Sequence, residues 1–398
     1  MERIGIYGGT FNPPHIGHIE AAKHAVSSLK LDKLLLIPDR IAPHKELPAG
    51  SPLAQQRYDM VYLAARKIPN AEVCDLELRR EGPSYTYLTI LELHARYPDA
   101  ELILLMGTDM FCSFQTWREP ATITKCASLG VFYRGEKNEL DAVAAQKCML
   151  EEQGTKVYLL ENPVIPISST DLRRMLTFGC ASAMLPAGVE KYIRENGLYG
   201  TNSDLRGLPM DKLEKVALSL LKPSRVAHVL GCRDTAAELA RHYGANENDA
   251  ARAGLLHDIT KALDGPLQLT LCDEYGIMLS EFFEENPKTL HALTGSLVAE
   301  RIFGENPAVV SAVRYHTTGK ADMSLLEKIV YVADYMEPNR NFPGVERLRQ
   351  LAFTDIDAAL KLGLEMTLQQ LAEQGRTVSV ESREALEFLN QLPKFHCV

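Results

Sequence analysis

The 398-residue sequence lacks the features that would indicate a membrane-spanning helix, a zinc ribbon or a nucleic-acid-binding surface. No apolar run approaches the roughly 18 residues of a membrane-spanning helix. The 8 cysteines form no C-x-x-C pair, which argues against zinc ribbons and thioredoxin-like motifs. Basic residues are not in excess, since the net charge is -9, and binding to nucleic acid or anionic lipid needs clustered Lys and Arg. We therefore expect no nucleic-acid partner and no membrane partner.

The composition instead favours a folded protein of the cytoplasm. Hydrophobic residues make up 46% and charged residues 24% of the chain, which supports buried cores rather than disorder. A chain of this length is expected to form two or three domains. The first residues, MERIGIYGG, lead directly into a strand and do not resemble a signal peptide. Scattered thiols are typical of a reducing cytosol, so we predict a cytoplasmic location. The oligomeric state stays open between a monomer and a homo-oligomer.

Short apolar runs alternate with amphipathic helical patterns from residue 1 to about residue 200. The candidate strands are RIGIYGG, KLLLIP, ELILLMG, SLGVFY and KVYLL, and candidate helices between them are HIEAAKHAVSSL and AQQRYDMVYLAARK. Alternation of strands and helices indicates β–α–β units, and strands that are apolar throughout indicate a sheet covered on both faces. The first half is therefore predicted to be an α/β domain with a doubly wound parallel sheet of the Rossmann-like type.

The pattern changes at YGTNSDLRGLPM, whose Gly, Asn, Ser, Asp and Pro residues favour a loop. Beyond it, segments such as TAAELARHY and AARAGLLHDITKAL have the 3.6-residue apolar spacing of helices, and almost no strand pattern remains. We predict an α/β domain over residues 1–202, a linker over 203–210 and an all-α domain over 211–398.

The first candidate site is the loop that follows the first strand. Gly8, Gly9 and Thr10 come directly after RIGIY, and a helix is expected to begin near His15. Glycines let the backbone approach a ligand, and a helix N-terminus presents free N–H groups to an anion. His15 and His18 are three residues apart and therefore face the same side of the first helical turn. Two imidazoles there can donate hydrogen bonds to phosphate oxygens and to charge that develops during phosphoryl chemistry.

The string GGTFNPPHIGH resembles the nucleotidyltransferase signature with its histidine pair. The first half as a whole, about residues 1–200, resembles bacterial nicotinate-nucleotide adenylyltransferase through APHK, GPSYT, MGTDMF, Trp117 and PISSTDLR, which occur in the expected order. The pantetheine-phosphate enzyme shares the histidine motif but is shorter and lacks GPSYT. One departure is Tyr87-Leu88, which stands where many members carry an apolar–acidic pair.

The resemblance implies transfer of AMP from ATP to nicotinate mononucleotide with Mg²⁺, giving deamido-NAD and pyrophosphate in NAD biosynthesis. The residues it implies for ATP are Gly8, Gly9, Thr10, Phe11, His15, His18, Gly107, Asp109, Ser168, Ser169, Thr170 and Arg173. Those it implies for nicotinate mononucleotide are Lys45, Thr86, Trp117 and Arg134. Catalysis is expected from His15, His18, Lys45 and Arg173. Trp117 would stack on the nicotinate ring, and plain core packing is the alternative interpretation of that side chain.

The second candidate site is a set of histidines and aspartates in the helical half: His228, His257, Asp258, His291, His316 and Asp334. An adjacent His-Asp pair in an apolar helix is costly to bury unless a metal or another charge compensates the carboxylate. Mixed imidazole and carboxylate ligands suit iron, manganese or zinc, and six of them could hold one metal or two that share a bridging carboxylate. Lys261 follows His257 by four residues on the same helix face, where it could meet a substrate phosphate.

These residues match the H…HD…H…H…D pattern of HD phosphohydrolases. RVAHVLG, AGLLHDITK, LHALTG, YHTTG and YVADYMEPNRNFPGVERLR resemble the HD-domain symmetrical bis(5′-nucleosyl)-tetraphosphatase family over about residues 210–398. The resemblance implies that the six residues are metal ligands and that diadenosine tetraphosphate is split into two ADP. It further implies that phosphates are held by Lys261, Thr317, Thr318 and Arg340, with Lys261 also in a catalytic role.

Three alternatives stay open on the sequence. The helical half could bind or sense nucleotides without turnover, or it could hydrolyse another nucleotide such as an alarmone or a deoxynucleoside triphosphate. The first half could adenylylate another mononucleotide. The main prediction is a bifunctional enzyme whose small-molecule partners are ATP, nicotinate mononucleotide and diadenosine tetraphosphate.

Overall fold

The computed structural model describes residues 1–43, 46–133, 137–161, 165, 167–280, 282–283 and 286–392. The chain divides into two compact units, Met1–Ser203 and Asp204–Val398. Within the described residues, no helix combines the length and the apolar composition needed to cross a membrane.

The first unit is built on a six-stranded sheet whose paired strands all run parallel, in the order β3-β2-β1-β4-β5-β6. The strands are β1 (Arg3–Gly9), β2 (Lys33–Pro38), β3 (Ala71–Val73), β4 (Glu101–Gly107), β5 (Ser128–Tyr133) and β6 (Val157–Glu161). The prediction of a doubly wound parallel sheet is confirmed, and each of the five apolar runs forms a strand. The sequence did not predict β3, because it is only 3 residues long and none of them is fully buried at this edge of the sheet.

Helices cover the sheet of the first unit: Ile16–Ser28, Ala54–Ala65, Leu76–Arg79, Thr86–Arg96, Thr108–Cys112, Pro120–Cys126, Lys137–Glu152, Ser169–Thr177 and Ala187–Glu195. Single 3₁₀ turns lie at Phe114–Thr116, Ser182–Met184 and Leu198–Gly200. Strand order reverses at β1, which pairs with β2 on one side and β4 on the other. Ligands of such sheets bind where the strand order reverses, outside the carboxyl ends of the strands. Those ends are Gly9 and Gly107 here, so the fold places the glycine loop at this crevice.

The described part of the second unit is helical, and the prediction of an all-α domain is confirmed. Its helices are Met210–Leu220, Val226–Tyr243, Glu247–Leu256, Gly265–Glu274, Leu290–Arg301, Pro307–Tyr315, Leu325–Met336, Val345–Ala352, Ile356–Glu373 and Val380–Gln391. Single 3₁₀ turns lie at Pro223–Arg225 and Pro287–Thr289.

Helices Val226–Tyr243 and Glu247–Leu256 approach each other closely at Gly254. A Cβ atom on Gly254 would lie 2.9 Å from the Arg233 Cα and 3.0 Å from the Cys232 carbonyl oxygen. Only glycine fits such a contact without moving a backbone. The close packing brings the end of the second helix, where His257 follows, beside His228 on the first.

Residues of the segment 203–210, which the sequence predicts as a linker, hydrogen-bond to residues later in the second unit. The Gly207 N–H donates to the Phe303 carbonyl oxygen at 3.0 Å. Arg252 donates to the Leu208 carbonyl oxygen at 2.8 Å and forms a buried two-bond pair with Glu305. This part of the segment is thus fixed against the helical unit.

Candidate functional sites

The glycine loop between β1 and helix Ile16–Ser28 is held by contacts to its backbone. The Arg173 guanidinium donates to the Asn12 carbonyl oxygen at 2.8 Å, and the Ser169 hydroxyl donates to the Pro13 carbonyl oxygen at 3.3 Å. Arg173 also donates to the Thr170 hydroxyl at 3.0 Å. Two of the residues predicted to hold ATP phosphates, Arg173 and Ser169, therefore also fix the shape of the loop.

The helix Ser169–Thr177 begins with the N-cap that ISSTDLR predicts. The Ser168 hydroxyl oxygen accepts a hydrogen bond from the Asp171 N–H at 3.0 Å. The start of this helix lines a cavity of about 270 Å³ together with the carboxyl end of β4 and both histidines. Of the residues predicted for ATP, this cavity brings together His15, His18, Gly107, Asp109, Ser168 and Ser169.

The two histidines lie ring against ring, with centroids 3.8 Å apart. The His15 N–H donates to His18 Nδ1 at 3.2 Å, which leaves the proton of a neutral His18 ring on Nε2. The His15 Nδ1 atom is buried and meets no hydrogen-bond partner within the described part of the chain. Burial of an unpartnered polar atom is unfavourable, so the pair is suited to a polar ligand.

Burial keeps both imidazoles neutral. It lowers the pKa of His15 to about 2, with a further contribution from the neighbouring His18, and it lowers the pKa of His18 to about 4. The rings therefore act on an anion as hydrogen-bond donors rather than as cations in the free protein.

We expect His15 and His18 to remain neutral in an NMR pH titration from pH 8 to pH 5, because their pKa values are about 2 and about 4. The unfolded chain takes up these protons near the ordinary pKa of 6.5, while the folded chain does not. The first unit should therefore lose stability as the pH falls from 6.5 toward 4. Single His→Gln variants assign the two imidazole signals. A titration midpoint near pH 6.5 for either ring would contradict the expectation.

Sequence reasoning missed a buried ion pair behind the loop. Arg57 is 0% exposed; it donates to the Asp39 carboxylate at 2.8 Å and to the Thr10 carbonyl oxygen at 2.7 Å. The Thr10 hydroxyl donates to the other Asp39 oxygen at 2.8 Å. Neither Arg57 nor Asp39 belongs to a motif with a known spacing. The one weak indication of a buried pair in the sequence was the charged Arg57 within an amphipathic helix pattern.

Replacing Arg57 by leucine should lower the free energy of unfolding of the first unit by about 3–5 kcal/mol, because it leaves the Asp39 carboxylate buried without its partner. Urea unfolding followed by circular dichroism measures this loss. Arg66→Leu, at the exposed end of the same helix, serves as the control and should change the stability by less than about 0.5 kcal/mol. Equal effects of the two substitutions would show that the buried pair is dispensable.

The residues predicted for nicotinate mononucleotide are described only in part. Lys45 and Arg134 lie outside the described residues. Thr86 is the first residue of helix Thr86–Arg96. The Trp117 ring lies 5.4 Å from the Phe114 ring, centroid to centroid, and packs on the core. Part of this side chain therefore has the core-packing role that was the alternative interpretation. The next residue, Arg118, lies 4.7 Å from the Tyr85 ring and thereby joins the segment of Trp117 to that of Thr86.

The structure brings the six predicted metal ligands of the helical unit into one cluster. His228 Nε2 lies 3.2 Å from His257 Nε2 and 3.1 Å from the Asp334 carboxylate. His291 Nε2 lies 3.2 Å from His316 Nε2. The ligand atoms of His228, His257 and Asp334, and those of His257, Asp258 and His316, lie within 4.8 Å of one another.

Asp258 lies between the two pairs of imidazoles. Its Oδ2 is 3.7 Å from His228 Nε2 and 3.5 Å from His257 Nε2. Its Oδ1 is 3.3 Å from His291 Nε2 and 3.9 Å from His316 Nε2. One carboxylate with an oxygen toward each pair is the arrangement that a bridging ligand requires.

The far nitrogen of each ring is fixed by an acceptor. His257 Nδ1 donates to the Gly254 carbonyl oxygen and His316 Nδ1 to that of Val313, both at 2.7 Å, and His291 Nδ1 donates to that of Lys288 at 2.8 Å. Such bonds leave Nε2 without a proton and free to coordinate. Burial lowers the pKa of His257 and, to about 4, that of His316, which keeps both rings neutral as ligands must be. These residues fit a divalent metal.

Two further residues at this cluster were not predicted. The buried Glu337 carboxylate lies 3.1 Å from His228 Nδ1 and so orients that ring. Arg225, in a 3₁₀ turn before the His228 helix, donates to the Asp258 carboxylate. Glu337 lies in MEPNR and Arg225 in RVAHV, both within motifs that carry the resemblance to HD-domain proteins, but the sequence analysis gave neither residue a role.

Of the four residues predicted to hold phosphates, three contact side chains of the cluster and the fourth, Thr318, bonds to the backbone. Lys261 Nζ lies 2.8 Å from His291 Nε2, and the Thr317 hydroxyl lies 3.1 Å from His316 Nε2. Arg340 donates to the Asp334 carboxylate at 2.6 Å. Thr318 is buried and donates to the Gly319 carbonyl oxygen, so its hydroxyl proton is committed within the chain.

Two cavities of similar size open from the metal-ligand cluster, and Thr317 and Thr367 line both. One, which we call the basic cavity, measures about 710 Å³ and includes Lys261, Lys288 and Arg376. The other, the aromatic cavity, measures about 720 Å³ and includes Tyr335 and Phe342. A ligand that extends to both sides of the cluster could therefore be accommodated.

Comparison with known proteins assigns both units. A cytidylyltransferase-like family model matches residues 6–175, and an HD domain model matches residues 225–339. A protein of Dictyoglomus thermophilum named "Probable nicotinate-nucleotide adenylyltransferase" is 40% identical over 198 residues, which are 50% of this chain and 99% of the relative. The chain belongs to the nicotinate-nucleotide adenylyltransferase family.

A second member of the nicotinate-nucleotide adenylyltransferase family, from Shewanella pealeana, is 35% identical over 215 residues, covering 51% of this chain and 99% of its own. A solved structure from Clostridium acetobutylicum, described as a predicted HD superfamily hydrolase involved in NAD metabolism, is 36% identical. The match covers 46% of this chain and 97% of that one, with a TM-score of 0.45. In the present chain, the HD domain match at residues 225–339 follows the cytidylyltransferase-like match at residues 6–175.

Proposed function

We propose that the first unit transfers AMP from ATP to nicotinate mononucleotide, giving deamido-NAD and pyrophosphate. The observation that carries the proposal is the neutral His15–His18 pair at a helix start beside the carboxyl ends of β1 and β4. In-line attack of the mononucleotide phosphate on the α-phosphorus needs no protein nucleophile. Catalysis then comes from positioning and from donors aimed at the developing charge, which Mg²⁺ bound to the nucleotide would partly neutralise.

The Ser168 N-cap supports the same proposal, because the helix it opens directs free N–H groups into the cavity of the histidines. We propose His15, His18, Ser168 and Ser169 as ATP contacts and Thr86 and Trp117 as nicotinate contacts. Assay of the purified chain with nicotinate mononucleotide and with nicotinamide mononucleotide tests the acceptor. Faster turnover of the amide substrate would reject the proposed acceptor while leaving adenylyl transfer in place.

For the second unit we propose metal-dependent hydrolysis of diadenosine tetraphosphate to two ADP. A divalent metal held by His228, His257, Asp258, His291, His316 and Asp334 would polarise phosphoryl oxygens and activate water. Iron is the proposed metal, with manganese or zinc as alternatives and one or two ions per site. The two cavities, one lined by His291 and the other by His316 and Asp334, support a substrate with a polyphosphate at its centre and a group at each end.

Lys261, Arg340 and Thr317 would hold the polyphosphate, since each contacts a metal ligand from the side of a cavity. A panel of diadenosine tetraphosphate, an alarmone and a deoxynucleoside triphosphate, assayed with Fe²⁺, Mn²⁺ or Zn²⁺, tests the substrate. Symmetrical cleavage to ADP is the expected result. A metal-loaded chain that cleaves none of these compounds would favour a nucleotide-binding domain without turnover.

A further inference from the structure

One wall of the aromatic cavity is lined by groups suited to an uncharged, flat ligand. The partly exposed Phe342 ring stands edge-on to the Tyr335 ring at a centroid distance of 5.3 Å. The Tyr335 hydroxyl accepts a hydrogen bond from Thr367 at 3.2 Å, which fixes Tyr335 behind Phe342. Pro343 and Met366 complete this apolar wall. Every nucleobase has a π-face that can stack on such a ring, whichever base it is.

Polar groups also line the same cavity, one helical turn beyond Met366. Gln369 and Gln370 are exposed on helix Ile356–Glu373, and both line the cavity. The Gln369 amide donates to the Glu373 carboxylate at 3.0 Å. Side-chain amides carry donors and an acceptor, so they can pair with the polar edge of a nucleobase. At its inner end the cavity reaches Arg340 and the metal ligand Asp334, where a phosphate would lie.

The basic cavity differs in charge. Among its described lining residues, three are cationic, Lys261, Lys288 and Arg376, whereas Asp264 is the acidic one. The Asp264 carboxylate accepts from the Leu267 N–H at 3.0 Å as a helix N-cap, so it is directed to the backbone. The ring of Phe282 is in edge contact with Phe283 at 5.4 Å and packs on a small apolar cluster. This cavity is therefore suited to anionic groups.

We propose that the aromatic cavity is a nucleobase subsite for one half of the substrate and that the basic cavity receives the other half mainly through its phosphates. The inference rests on the proposed hydrolase function and adds an asymmetry to it, since only one base is held by stacking. A mononucleoside tetraphosphate should consequently be cleaved with a kcat/KM close to that of the dinucleoside compound.

The test measures kcat and KM for diadenosine tetraphosphate in the full metal-loaded chain. Phe342→Ala should raise KM by about 5- to 100-fold with kcat nearly unchanged, because stacking on one ring is lost. Phe342→Tyr retains the ring and should restore KM. The matched control is Phe282→Ala, which removes an aromatic ring from the basic cavity and should change KM much less. An unchanged KM in Phe342→Ala, or equal increases in both alanine variants, overturns the asymmetric subsite.

A second measurement does not depend on turnover or on a variant that folds. Photolabelling of the wild-type chain with 8-azidoadenosine diphosphate, followed by peptide mapping, should place the label in the second unit on residues 335–343 or 366–373. Label there without any hydrolysis would retain the subsite and reject the hydrolase. Hydrolysis with second-unit label confined to residues 261–289 would reject the subsite and retain the hydrolase.

Discussion

Replacement of His18 by alanine is expected to lower kcat for adenylyl transfer by about 100- to 1,000-fold with a modest change in KM. His18 is neutral, its Nδ1 accepts the His15 N–H, and its Nε2–H is the donor that remains for the phosphate. A donor that acts on charge developing in the transition state contributes to kcat more than to binding. Steady-state kinetics with ATP and nicotinate mononucleotide varied separately measure both constants.

The matched control for this prediction lies on the same helix. His24 is partly exposed and lies near the Ser28 hydroxyl at 3.3 Å, away from the cavity of the histidine pair. His24→Ala should leave kcat unchanged. Wild-type turnover in His18→Ala would remove His18 from the mechanism, and an equal loss in both variants would point to a general effect on the helix.

Replacement of Asp258 by asparagine is expected to lower the proposed phosphohydrolysis by more than about 100-fold. Changes in residues that merely orient metal ligands cost about 10- to 100-fold, and Asp258 faces both imidazole pairs directly. The amide has one oxygen where the carboxylate has two, and it carries no charge to offset a cation. Metal content by mass spectrometry and hydrolysis of diadenosine tetraphosphate should fall together.

Two comparisons make the Asp258 result specific. Adenylyl transfer by the same variant should be unchanged, because the residue lies in the other unit. Asp234→Asn removes a carboxylate that is 66% exposed on helix Val226–Tyr243 and should retain both metal and hydrolysis. Full hydrolysis by Asp258→Asn would exclude the carboxylate as a shared metal ligand.

The sequence predicted those features that short-range patterns determine. Apolar runs located the five longer strands, and the positions of histidines and aspartates indicated the cluster in the helical unit. The side of the cluster on which each group lies depends on packing between distant helices. The sequence therefore predicted a bridging carboxylate without naming it, and only the structure shows that the two oxygens of Asp258 face the two imidazole pairs.

Residues that act through other residues were the ones missed. Arg57 contacts Asp39 and the Thr10 backbone across 18 and 47 positions of sequence, and Glu337 contacts His228 across 109. No local period connects such pairs, so their hydrogen bonds are visible only in three dimensions. Arg173 is a similar case. Its motif predicted a phosphate contact, but only the structure shows that its guanidinium also donates to the Asn12 carbonyl oxygen.

The neutrality of the His15–His18 pair has a consequence for how the first unit captures its nucleotide. Among the described residues that line this cavity there is no Lys or Arg, Asp109 carries the one carboxyl group, and the remaining polar groups are imidazoles, hydroxyls and backbone amides. Such dipoles attract an anion at close range only, whereas net charges act over about 10 Å in dilute salt. Within this lining the nucleotide is therefore held by short-range dipoles, and longer-range attraction falls to cations outside it, such as Arg173, whose guanidinium also holds the loop at the Asn12 carbonyl oxygen.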